Sequence, residues 1–181
     1  MTRLVFTIAL LAAVPAIAQE TPWTALNPGS DNITVLGHIP LGAPLNVMDM
    51  EVEQELSRPF AYISRGTVGP GMDRGTDFID ISDPSNPKVL HRWRIENNDL
   101  HVGLGGMDIK YFKWADRYYV VQSTQFFPGG PNADLGAVIF DVTGLPDAST
   151  VREVARIREP SMPGGFHNIF MYQHSSGKPL L

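Results

Sequence analysis

The stretch DFIDISDPSNPKVL, residues 77–90, decides the fold class of this chain. Its first part is rich in β-type apolar residues. The pairs Asp83-Pro84 and Asn86-Pro87 that follow set turn dihedrals and cannot continue a strand ladder. The stretch therefore predicts a strand, a tight polar turn and a second strand.

Similar elements recur about 60 residues later, in the same order. Each repeat contains four predicted strands, a to d: residues 47–52, 60–64, 78–82 and 88–95, then 106–111, 118–122, 139–143 and 150–157, and a third strand a at 167–172. An all-β chain of tandem four-stranded antiparallel meanders is typical of a β-propeller. A β-sandwich is the alternative, but a sandwich would not repeat all four strands in register.

These repeats predict the following organisation: a signal peptide at 1–18, an extended lead-in at 19–32 and a partial propeller at 33–181, with blades at about 46–95 and 106–157 and a third that starts at 166. Residues 33–39 read as an outer strand that closes the ring with a last, absent blade. The chain is thus expected to be a fragment of about two and a half blades, because a closed propeller needs at least four.

The N-terminus has the pattern of a secretory signal. Arg3 is followed by a short apolar run at residues 4–14 and by the small-residue site Ala16-Ile17-Ala18. The expected destination is periplasmic or extracellular, with no membrane span after signal cleavage. Since the chain has no cysteine, disulfides, thiolate metal sites and a lipidated cysteine are excluded.

The charge balance argues against a nucleic-acid partner. The formal net charge is −5, and removal of Arg3 with the signal would make it −6. No basic stripe is present to neutralise phosphates. The 17 Gly and 15 Pro favour many short elements joined by turns.

The repeat carries a resemblance to a known family. FIDISDPSNP at 78–87, preceded by FAYIS at 60–64, resembles the LVIVD repeat family of secreted bacterial and archaeal β-propellers. The second repeat departs from that pattern at residues 140–146. FHNIFMY at 166–172 is similar to strand openings in the related choice-of-anchor B group. The resemblance implies a secreted propeller and no particular catalytic site, because the family is defined by its repeat.

The long b–c loops, at 66–75 and 125–135, are predicted to share one face with the d-to-a crossing at 96–105. We name this the long-loop face. Loops of this kind on a rigid scaffold commonly bind ligands. Six chemically suggestive residues on this face are the candidate ligand-binding set: Arg65, Asp73, Arg74, Asp99, His101 and His167.

The two histidines of this set are candidate metal ligands. His101 and His167, on adjacent repeats, can in principle hold a divalent metal ion together with Asp99. The spacing favours the other interpretation, in which each histidine bonds a loop carbonyl or faces water, since no HxH or HExxH spacing is present. That alternative predicts no cofactor.

Aspartates recur at matching positions in the repeats. Asp49, Asp108 and Asn168 begin three a strands, and Asp80 and Asp141 recur on strand c. They predict either a ring of side chains facing a channel or a repeated hydrogen bond to neighbouring backbone. Repetition favours the structural role.

Two functional hypotheses remain at the level of sequence, because no nucleophile elbow, phosphate loop or dinucleotide fingerprint occurs. The first is a non-enzymatic exported scaffold that binds a protein, glycan or cell-surface ligand through the long-loop face. The second is a hydrolase or metal-dependent oxidoreductase with its site at the channel mouth.

Overall fold

The structure is a computed structural model that describes residues 24, 27, 31–42, 46–67 and 73–181. The predicted signal peptide, most of the lead-in and residues 68–72 of the first b–c loop lie outside the described residues. Residues 1–35 form a unit of their own. Within it, Thr24 and Asn27 pair through two backbone hydrogen bonds of 2.7 and 3.0 Å.

Two four-stranded antiparallel sheets make up most of the second unit, residues 36–181. Sheet 1 contains β1 (Val47–Val52), β2 (Phe60–Arg65), β3 (Gly75–Asp80) and β4 (Lys88–Arg94), in that order. Sheet 2 contains β5 (Gly105–Trp114), β6 (Arg117–Gln125), β7 (Leu135–Asp141) and β8 (Arg152–Arg158). A short pair, β9 (Tyr172–Gln173) and β10 (Pro179–Leu180), follows, and 3-10 turns lie at Asn98–Leu100 and Ala148–Thr150. The predicted all-β fold and its four-stranded antiparallel meanders are confirmed.

Alternation along the strands gives sheet 1 two apolar faces. On β2, Phe60 and Tyr62 join the main core, whereas Ala61 and Ile63 belong to a smaller cluster on the other face. The main core lies between the two sheets, where the Phe78 ring meets the Phe140 ring edge to face at 5.4 Å. Side-chain packing of this kind fixes the two sheets against each other.

A buried amide also joins the two sheets. Gln122 on β6 accepts a 3.0 Å hydrogen bond from the Thr76 hydroxyl and donates a 2.9 Å bond to the Ser64 hydroxyl. All three residues are fully buried. Because buried polar groups are costly when they lack partners, this network favours one relative placement of the sheets.

The strand-c aspartates have the structural role that repetition favoured. The Asp80 carboxylate accepts a 2.8 Å hydrogen bond from the Ser82 N–H, and Asp141 accepts a 3.0 Å bond from the Thr143 N–H. Each side chain therefore starts the turn that follows its own strand.

Three details of the sequence interpretation are wrong. Residues 33–39 contain no strand, and Ile39 instead packs its side chain against the smaller cluster. Residues 166–171 also contain no strand, so that only β9 represents the third strand a. The strand-b match is shifted by one residue, because Phe60 pairs with Asp80 whereas Tyr119 pairs with Asp141.

Candidate functional site

A polar pocket of about 300 Å³ lies where the first strands of the repeats begin. It is lined by pairs of residues from three successive repeats and by one lysine: Met48 and Asp49, Met107 and Asp108, His167 and Asn168, and Lys110. The predicted aspartate positions thus do face a shared space. We call this space the polar pocket.

The pocket aspartates also tie each repeat to the next. The Asp49 carboxylate accepts a 3.1 Å hydrogen bond from the Ile109 N–H, and the Asp108 carboxylate accepts a 2.9 Å bond from the Ile169 N–H. We call each of these carboxylate-to-backbone contacts a polar hook. The two hooks confirm the second half of the sequence interpretation, a repeated hydrogen bond to neighbouring backbone. Hence Asp49 and Asp108 are both structural ties and pocket lining.

Local irregularity in the strands places the hooks. The pairing of β1 with β2 shifts register between Val47 and Asp49, and the pairing of β5 with β6 shifts between Gly106 and Ile109. Such bulges re-aim a side chain out of the regular ladder. At the second bulge the Ser123 hydroxyl accepts the Asp108 N–H at 2.8 Å, so the freed backbone group keeps a partner.

Lys110 holds the two aspartates together. Its Nζ donates to Asp49 at 3.2 Å, to Asp108, and to the Ile109 carbonyl at 3.0 Å. Burial opposes the lysine charge, but the hydrogen bonds to Asp108 and Asp49 outweigh it and raise the pKa of Lys110. Burial likewise opposes ionisation of Asp108, and its hydrogen bonds, Lys110 among them, lower the pKa of Asp108. Lys110 and Asp108 are therefore charged at neutral pH.

Glu51 adds a further carboxyl group close to this cluster. Its pKa is raised by burial and by the charges of Asp49 and Asp108, although Lys110 opposes the shift. Three carboxyl groups thus surround one ammonium group, which gives this region a negative balance. Such a balance favours a cationic ligand over an anionic one.

His167 and Asn168 are the exposed members of the polar pocket, and His167 has a side-chain partner. Its Nδ1 lies 2.8 Å from the Gln125 side-chain oxygen. Because that oxygen can only accept, Nδ1 is the nitrogen that donates in this contact. The imidazole is thereby oriented and keeps Nε2 as a possible ligand atom.

The other sequence-predicted residues do not enter this pocket, and the two arginines are buried. Arg65 bonds Asp77 at 2.8 Å and Asn46 at 2.9 Å. Arg74 bonds the Asn98 side chain at 2.9 Å. Burial lowers the pKa of Arg74, and the charge of Asp99 opposes that shift. Both guanidinium groups hold the framework beneath the long loops rather than presenting themselves at the surface.

The two predicted acidic residues are exposed. Asp73 lies just before β3, where its carboxylate is 3.5 Å from the Arg94 guanidinium. Asp99 belongs to the 3-10 turn in the crossing between the sheets. Each remains accessible to a ligand on the long-loop face.

His101 and His167 have separate surroundings. The buried His101 ring stacks on Phe126 with centroids 4.4 Å apart, and its Nε2 is 3.1 Å from the Asn132 amide nitrogen. Burial, followed by the positive charge of Arg74, lowers the pKa of His101. Within the described ranges, no three His, Asp or Glu side chains form a group that could hold a metal ion.

Sequence reasoning missed Met48, Met107 and Lys110. A signal was present, because the dipeptide Met-Asp occurs at 48–49 and again at 107–108, at matching positions of two repeats. The contacts of Lys110 had no such signal, since the matching residue of the first repeat is Glu51.

Comparison of the chain with protein-family models, curated proteins and solved structures finds no match. Fold and site therefore define the class only as an all-β chain of four-stranded antiparallel sheets with a polar pocket at the start of its repeats. In the part of the chain that the structure describes, no helix is long and apolar enough to cross a membrane.

Proposed function

We propose that this chain is an exported β-propeller repeat protein of the LVIVD type and that it acts as a non-enzymatic scaffold that binds a protein ligand through its long-loop face. The sequence of residues 1–18 supports export, and the repeat signature supports the family. Catalysis is not part of the proposal. The protein ligand of this chain is expected in the periplasm or outside the cell.

Recurring contacts between repeats support the propeller part of the proposal. In a propeller each blade meets the next through the same set of contacts. Two backbone contacts recur with nearly the same spacing: Gly66 pairs with Gly105 as Gln125 pairs with Gly165, and Thr67 donates to Leu104 as Phe126 donates to Gly164. Residues 164–169 therefore meet sheet 2 as residues 104–109 meet sheet 1.

Exposed apolar side chains on the long-loop face support the proposed protein binding. Three residues each expose more than half of their surface: Leu100, Val102 and Phe127. The Phe127 N–H donates to the Val102 carbonyl at 2.7 Å, so two of the contributing loops lie side by side. Exposed apolar residues clustered in this way are typical of protein-binding surfaces.

Buried polar anchors hold these loops in place. Arg74 Nη1 reaches the Asn98 carbonyl at 3.2 Å, at the start of the crossing. Asn132 bonds His101 from the second b–c loop. A surface fixed before binding loses less conformational entropy when a partner docks, which favours a binding role.

The long-loop face is tested by site-specific photocrosslinking in cells that make the chain. A photoreactive phenylalanine analogue at position 127 should give a discrete protein adduct, whereas the same analogue at position 56 should not. Leu56 is a matched control, because it is a fully exposed apolar residue in the turn between β1 and β2, at the opposite end of sheet 1.

A second arm asks whether the adduct depends on the apolar group. The double variant Val102→Thr with Leu100→Ser, carrying the crosslinker at 127, should lose most of the adduct, and Leu56→Ser should keep it. Equal adducts from positions 127 and 56, or an adduct that survives the double variant, would overturn the proposal.

A further inference from the structure

We propose that the polar pocket is a Cu(I) site whose ligands are the thioether sulfurs of Met48 and Met107 and the Nε2 atom of His167. Its lining shares no residue with the exposed apolar group proposed above to bind a protein. It also differs from the pair of histidines that the sequence suggested, because His101 takes no part in it.

The three proposed ligands come from the same position in three successive repeats. Met48 precedes Asp49, Met107 precedes Asp108, and His167 precedes Asn168. The polar hooks fix these repeats against one another, and all three side chains line one pocket. The architecture thus brings two sulfurs and one imidazole to a common space.

The donor set selects the metal. Thioether sulfur is a soft ligand that prefers Cu(I), and imidazole also suits copper. Met107 is largely buried, so its sulfur is already removed from bulk water. The chain has no cysteine, which leaves methionine as its only sulfur donor. Hard ions such as Ca²⁺ prefer six to eight oxygen ligands.

The pocket carboxylates already have other partners. Asp49 and Asp108 each accept a backbone N–H and a bond from Lys110. They are therefore engaged in holding the repeats together, and the methionines and His167 remain as donors.

The orientation of His167 provides an independent indication. Histidines that bind metals generally donate their other ring N–H to an acceptor, which fixes both tautomer and ring orientation. Gln125 accepts from Nδ1 of His167 at 2.8 Å, so Nε2 is the ring nitrogen outside this hydrogen bond. The residue is thus set up as a ligand before any metal arrives.

The proposal is tested by anaerobic titration of the purified chain with Cu(I) in competition with the chromophoric chelator bicinchoninate. The wild-type chain should withdraw one equivalent of copper. Met48→Leu, Met107→Leu and His167→Gln should each weaken binding by at least about tenfold, the lower limit seen when even the supporting residues of metal sites are changed. Leucine for methionine nearly conserves volume, so the variants should fold.

Met162→Leu is the matched control, because Met162 is exposed and does not line the polar pocket. X-ray absorption of the loaded chain should show two sulfur neighbours, and Met48→Leu with Met107→Leu should remove them. If the wild-type chain takes no copper from the chelator, or if the double variant binds as tightly as Met162→Leu, the proposal is wrong.

Discussion

Replacing Arg58 with methionine is expected to lower the free energy of unfolding by about 3–5 kcal/mol, since the change strands a buried carboxylate. Arg58 Nε lies 2.6 Å from one oxygen of Glu53 and Nη2 lies 3.0 Å from the other. Glu53 is buried at 5 % exposure. Without the guanidinium its charge has no compensating partner.

The same substitution also removes contacts between the two sheets at this end. Arg58 donates to the Val142 carbonyl at 3.0 Å and to the Thr143 carbonyl at 3.2 Å, and its guanidinium lies 3.9 Å from the centroid of the Tyr118 ring. These contacts join the turn after β1 to the turn after β7. Methionine can keep contact with the ring but cannot replace the hydrogen bonds.

Tyr62 remains as the second partner of Glu53. Its hydroxyl donates to the Glu53 carboxylate, and burial together with the Glu53 charge raises the pKa of Tyr62. One neutral donor does not replace a guanidinium that binds both carboxylate oxygens.

Urea unfolding followed by circular dichroism measures the effect of Arg58→Met. Lys113→Met is the matched control, because Lys113 on β5 forms a partly exposed ion pair with Glu55 in the turn after β1. It should leave the urea midpoint almost unchanged. An equal, small shift for both variants would show that Arg58 is not the buried inter-sheet contact described above.

Replacing Asp77 with asparagine is the second large prediction, with an expected loss of about 3–5 kcal/mol. Asp77 is fully buried and lies 2.8 Å from Arg65 and 2.6 Å from Arg94. Because the Arg65 side chain is only 1 % exposed, loss of the negative charge leaves a buried guanidinium without its counterion.

A double variant separates the loss of the pair from the loss of one partner. Arg65→Met with Asp77→Leu removes the two fully buried charges and leaves the partly exposed Arg94 with Asp73 at 3.5 Å. Apolar replacement of a buried ion pair is often close to neutral. We therefore expect the double variant to be more stable than Asp77→Asn in the same urea unfolding assay. A double variant that is less stable than Asp77→Asn would contradict this account of the pair.

The sequence predicted the sheets well because their local signals agree. The β-type apolar residues of β2 and β3 and the proline turn after β3 all favour the same strands. It failed at residues 33–39, where Ile39 packs against the smaller cluster but Ile33 and Leu36 are exposed, so no sheet face is formed. The strand-b match failed because the turns before β2 and β6 differ in length, and composition alone does not fix register.

The site was predictable only in part. The repeated aspartates were visible in the sequence, and they do line a pocket and bind the next repeat. Arg65 and Arg74 were predicted at the binding face because local sequence does not show that both side chains are buried. It also does not show that their partners are Asp77 and Asn98. Contacts between residues distant in sequence, such as Asp49 with Lys110, depend on how the sheets pack.

One polar hook joins each repeat to the next. Amide hydrogen exchange at Ile109 and Ile169 tests these contacts most directly. Hydrogen bonds to charged groups contribute about 1.5–3 kcal/mol, so loss of a hook should speed exchange at least about tenfold. Asp49→Ala should expose the Ile109 amide and spare Ile169, and Asp108→Ala should do the reverse. Asparagine at either position should retain protection, because its side-chain oxygen still accepts. If Asp49→Ala leaves exchange at Ile109 unchanged, or if both amides exchange freely in the wild-type chain, the repeats are not joined in this way.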